Sequence, residues 1–108
     1  MRKYQIIFYV PETHLEKVKQ AMFNAGGGLT EKYEQSCWQT KGEGQFKPKS
    51  ASQPFIGNIG ELSKVVEYKV EMIASKEKIK NVVEELKKHH PYECPAMSVF
   101  EILEVDLE

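Results

Sequence analysis

The chain has 108 residues, 41% hydrophobic and 29% charged, with 15 Lys+Arg against 16 Asp+Glu. A chain of this length suits one core, because two would each bury too little surface, so a single domain over residues 1–108 is expected. The net charge of −1 argues against nucleic acid and anionic membrane as partners, since both attract clustered basic surfaces.

The chain opens "MRKYQIIFYVPE". Its apolar run from Ile6 to Val10 is shorter than a signal-peptide core, and nowhere does the sequence reach the roughly 18 apolar residues of a membrane span. Tyr4, Ile6, Phe8 and Val10 fall on one face of a strand bounded by Pro11. Residues 12–25 then place Leu15, Val18, Ala21, Met22 and Ala25 at helical spacing, and the glycines at 26–28 can end that helix with a left-handed residue. The same text recurs 64 residues later: Tyr4, Ile6, Phe8, Val10, Leu15, Val18 and Met22 align with Tyr68, Val70, Met72, Ala74, Ile79, Val82 and Leu86. Ser75 is placed to cap the second helix, which must end before Pro91, because the residue preceding a proline avoids helical geometry. A last strand follows in "AMSVFEILEV". Val99, Leu103 and Val105 point to one side of it and Phe100 and Ile102 to the other, a pattern that predicts a bulge or burial on both faces.

A duplicated strand-helix-strand text predicts an α+β, ferredoxin-like fold, an antiparallel sheet with two helices on one face. The other face is left bare, and Ile7, Tyr9, Ile73 and Trp38 are candidates to line it. Apolar patches of that kind mark interfaces, so homo-oligomer formation through the open sheet face is expected. Glu67, Lys69 and Glu71 on the same face moderate that expectation.

Between the repeats, residues 30–40 can form a strand, and residues 42–60 read as a long excursion of the kind that carries function in compact domains. "GEGQF" lacks both the full glycine fingerprint and the Lys-Ser/Thr pair of a phosphate loop, so Gly42 and Gly44 are expected to take positive φ in a turn. Phe55 and Ile56 in "QPFIGNIGEL" could plug the core or a neighbouring subunit, or close over a ligand; the plug is the preferred reading. Gly42, Gly44, Phe46, Phe55 and Tyr92 form the candidate ligand-binding set, for a small ligand or a protein partner.

The densest chemistry lies in "HHPYECP", residues 89–95. His90, Glu93 and Cys94 offer imidazole, carboxylate and thiolate, the donors that zinc or copper takes, so a divalent metal is one reading of this turn. The other reading is a rigid joint: Pro91 and Pro95 fix the chain between helix and strand, a histidine suits the negative end of the helix, Tyr92 packs, and Glu93 accepts backbone hydrogen bonds. The joint is preferred, with Cys94 as a buried filler and no resident cofactor. Cys37 and Cys94 are too few and too far apart for a disulfide framework, and are expected as reduced thiols in a cytoplasmic protein.

Taken together, "YQIIFYVPETHLEKVKQAMFNAGGG", "GEGQFKP", "QPFIGNIGEL", "VEYKVEMI" and "HHPYECPAMSVFEI" resemble the domain inserted in the NGG-interacting-factor family of dinuclear-metal hydrolases. That insert is similar in turn to the PII signalling and CutA divalent-cation tolerance proteins. CutA proteins carry a matching His-Pro-Tyr-Glu-x-Pro element, here His90, Pro91, Tyr92, Glu93 and Pro95. The resemblance implies a ferredoxin-like subunit that assembles, often as a trimer in the CutA and PII cases. It also implies that the hydrolase's metal ligands lie in flanking domains, since His14, His89 and His90 are the only histidines here. The expectation is a free-standing, non-catalytic binding or regulatory module; the alternative is a small metal-binding protein or metal-dependent hydrolase using residues 89–94.

Overall fold

The computed structural model describes residues 2–103. Four strands, β1 (Lys3–Pro11), β2 (Trp38–Phe46), β3 (Ser63–Ser75) and β4 (Met97–Ile102), form one antiparallel sheet in the order β2-β3-β1-β4. Helices α1 (Leu15–Asn24) and α2 (Ile79–His89) follow β1 and β3 and pack on one face of the sheet. This is the ferredoxin-like arrangement expected from the duplicated text.

Strict alternation explains the sheet's inner face. Ile6, Phe8 and Val10 of β1 and Val70, Met72 and Ala74 of β3 are buried, as are Leu15, Val18 and Met22 of α1 and Val82 and Leu86 of α2. These eleven side chains, the core cluster of the described residues, all belong to the two repeated sets. Helix α1 ends as the glycines suggest: Gly26 takes φ +107°, its N–H bonds to Phe23 O at 3.0 Å and the next N–H to Met22 O at 2.9 Å. Those two bonds satisfy carbonyls that the helix end would otherwise orphan. Helix α2 carries Lys87, Lys88 and His89 in its last turn, where cations suit the negative end of the helix. It stops at His90, whose extended backbone precedes Pro91.

Four local expectations are corrected. Ser75 is the last residue of β3, and its backbone carbonyl, not its hydroxyl, receives the Lys78 N–H; no side chain caps α2. The second strand begins eight residues later than residue 30 and runs through "GEGQF", so Gly42 and Gly44 are strand residues and neither has positive φ. Pairing with β3 from Trp38↔Glu71 to Phe46↔Ser63 holds this strand despite its poor intrinsic preference, which a central neighbour can override. The irregular excursion is correspondingly residues 47–62. Strand β4 pairs with β1 in unbroken register from Ile102↔Lys3 to Met97↔Phe8, with no bulge. It is an edge strand whose middle residues are exposed on both faces, and Val105 lies outside the described residues.

The face away from the helices carries Ile7 and Tyr9 of β1, Ile73 of β3, Trp38 of β2 and Phe100 of β4, all but Ile7 substantially exposed. A hydrogen bond of 3.0 Å from Gln5 to Glu71 crosses it. Among the described residues no helix is long and apolar enough to cross a membrane.

Candidate functional site

At one end of the open face, the 47–62 loop and the joint between α2 and β4 close around a groove of about 360 Å³. Tyr9, Gly44, Phe46 and Glu67 form its floor from three strands, while Phe55 comes from the loop and Tyr92 from the joint. The ring centroids of Phe46 and Phe55 stand 6.2 and 6.4 Å from that of Tyr92, tilted by 56° and 51°. The walls are therefore splayed rings, not a stack. Loop and joint are tied by the Gln53 N–H, which donates to Glu93 Oε1 at 2.9 Å.

One polar chain crosses the site. The Tyr92 hydroxyl donates to Glu67 Oε2 at 2.8 Å, the Tyr92 N–H donates to His90 Nδ1 at 3.1 Å, and His90 Nε2 lies 2.7 Å from the Tyr9 carbonyl oxygen. An Nδ1 that accepts must be unprotonated, so Nε2 carries the hydrogen and donates to Tyr9. Burial lowers the His90 pKa below the ordinary histidine value, which favours this neutral ring. Burial, followed by the bond to Glu67, raises the Tyr92 phenol above its ordinary value and holds it protonated.

Gly44 explains why Glu67 can reach this position. A side chain at 44 would run into the Glu67 carboxyl group, whereas nothing lies within 4 Å of where a Gly42 side chain would begin. Gly44→Ala is expected to push Glu67 off the Tyr92 hydroxyl and to cost about 1–2 kcal/mol, the loss of a charge-assisted bond partly offset by alanine's smaller chain entropy. Urea denaturation, with ultraviolet titration showing the Tyr92 phenol closer to its ordinary pKa, checks this. Gly42→Ala is the neutral control.

Of the expected ligand set, Gly44, Phe46, Phe55 and Tyr92 meet at the groove, and Gly42 does not. Phe55 does not plug the core: it is 53% exposed and packs edge-on to His14, with ring centroids 5.4 Å apart. Of the expected metal set, Glu93 and Cys94 line the groove, but His90 is turned away with both ring nitrogens engaged. Among the described residues no three His, Cys, Asp or Glu side chains gather as a metal site. Cys94 is exposed and not a buried filler, and both cysteines are free thiols. Glu67 and Tyr9 were not anticipated as site residues. Glu67 reads in the sequence as one more charge on an alternating strand, and only the folded sheet, which pairs it with Gly42 and leaves room for its carboxyl group at Gly44, lets it meet the Tyr92 hydroxyl.

No protein-family model matches the chain. A GTP cyclohydrolase 1 type 2 homologue from Halalkalibacterium halodurans is 38% identical over 97 residues, 90% of this chain and 26% of the relative. The chain thus spans about a quarter of the length of the curated relatives it matches. Among solved structures, a Bacillus cereus protein related to NIF3 superposes with a TM-score of 0.79 at 28% identity, covering 94% of this chain and 26% of that one. At the level of fold alone, the periplasmic divalent cation tolerance protein CutA from Archaeoglobus fulgidus (TM-score 0.65, 16% identity, 99% and 89% covered) and the Bacillus subtilis GlnK–ATP complex (0.63, 19%, 94% and 82%) share nearly the whole architecture. The chain is thus homologous over nearly its whole length to one part of the GTP cyclohydrolase 1 type 2 homologues and of a protein related to NIF3, and it has a PII/CutA-like fold.

Proposed function

We propose that the chain acts as one non-catalytic unit, a cytoplasmic binding or regulatory module that self-associates through the open sheet face and takes a small ligand in the groove. The observation that carries this reading is the groove itself: apolar walls, a few converging polar groups and a volume in the range of small-molecule sites. Its most perturbed group, Tyr92, is held as a proton donor to Glu67, an arrangement suited to fixing a wall in place. The name of the relatives speaks of a cyclohydrolase, but that name belongs to chains more than three times as long. A metal-dependent hydrolase centred on residues 89–94 is the less favoured reading, because His90 already spends both ring nitrogens on the fold.

Self-association follows from the exposure of Trp38 (66%), Ile73 and Phe100 on the face without helices. Light scattering at micromolar concentration is expected to give a multiple of 12.4 kDa. Ile73→Glu, on that face, should reduce the mass while leaving the circular dichroism spectrum intact. A wild-type protein that scatters only as 12.4 kDa rejects the assembly.

A further inference from the structure

We propose that the groove between the 47–62 loop and the α2–β4 joint binds an organic cation, an alkylammonium group carried on an apolar body. The inference rests on reading the groove as the ligand site and adds the class of ligand. Three observations carry it. Phe46, Phe55 and Tyr92 present tilted rings around one concavity, and a cation is attracted to the negative face of an aromatic ring. Two carboxylates, Glu67 and Glu93, line the same concavity. No lysine, arginine or histidine side chain is among the described residues that line it.

The alternatives fit less well. An anion would meet two carboxylates with no basic side chain to balance them. A neutral apolar ligand would strip water from those carboxylates without replacing its hydrogen bonds, a cost that grows with burial. A bare metal ion would want three or more hard or borderline donors at short range, and no such group forms among the described residues. An alkylammonium group uses all the features present: its diffuse charge sits against the rings, the carboxylates offset that charge, and its hydrocarbon part covers Ile56 and Pro54. Glu67 is fixed in this role by the bond from Tyr92, and Glu93 by the Gln53 N–H, so neither must be ordered when the ligand arrives.

The test is a nitrogen–proton correlation titration of the protein with three probes: choline, its neutral isostere 3,3-dimethylbutan-1-ol, and benzoate. Choline is expected to shift the amides of Gly44, Phe46, Phe55 and Glu93 and to bind about fivefold more tightly than the isostere, as one exposed cation–π contact predicts. Phe55→Ala, at an exposed position that should not affect folding, is expected to weaken choline about two- to fivefold. Glu67→Gln, which keeps an acceptor for Tyr92, should also weaken it. If the isostere or benzoate binds the groove as tightly as choline, the cation assignment is overturned and the groove remains a ligand site. If none of the three shifts the groove amides, the assignment and the reading of the groove fall together.

Discussion

Phe8→Ala is expected to lower stability by about 3–5 kcal/mol, the range for removing a buried aromatic ring and leaving a cavity. Phe8 is wholly buried on β1, one of the two inner strands of the sheet, opposite Val70 of β3 and Met97 of β4. Both helices lay their apolar stripes over this inner face, through Val18 and Met22 from α1 and Val82 and Leu86 from α2. Rigid neighbours on every side limit how far the structure can collapse into the space left by the ring, so the cost should fall well above that of a surface change. Chemical denaturation should show a lower midpoint with an unchanged slope, since the surface exposed on unfolding is nearly the same. Tyr33→Ala, at a residue 72% exposed, should stay within about 0.5 kcal/mol. A loss below about 1 kcal/mol for Phe8→Ala would mean that the helices do not close over the central strand.

Phe8 was legible as a core residue because its environment is encoded locally. Alternation in β1 and β3 and helical spacing in α1 and α2 each name an inner face, and the two copies of the pattern corroborate one another. The second strand is the opposite case. "KGEGQ" has neither apolar alternation nor strand-forming residues, and its extended shape comes from pairing with β3, which is a property of the folded sheet. The same cause hid Glu67. Its meeting with Gly44 and Tyr92 joins two strands and a distant turn, and no spacing along the chain announces that. The core half of the Phe55 reading failed for a related reason: a large apolar residue in a loop suggests a core plug, yet the loop lies over the end of the open face, where the core is out of reach.

His90 is where the structure changes an expectation most. Read as half of a histidine pair beside Glu93 and Cys94, it looks like a ligand or a dispensable helix-end residue. In the fold it is 6% exposed and bridges α2 to β1, donating to the Tyr9 carbonyl and accepting from the Tyr92 N–H. His90→Ala is therefore expected to cost about 2–4 kcal/mol, since it leaves a carbonyl and an N–H short of partners and opens space beneath the Tyr92 ring. The pH dependence has a definite sign. Burial lowers the folded-state pKa of His90 below its unfolded value of about 6.5, so the unfolded chain binds the extra proton more readily. Stability from this group is complete above about 6.5 and is lost as pH falls through the lower folded-state pKa, where a protonated Nδ1 would confront the Tyr92 N–H. Denaturation of wild type and His90→Ala across that range should show their difference shrinking toward acid pH. Cys94→Ser, on the exposed side of the same turn, should show neither the cost nor the slope. A His90→Ala protein as stable as wild type, with an unchanged acid slope, would return the turn to the role of a simple joint and remove His90 from the support of the groove.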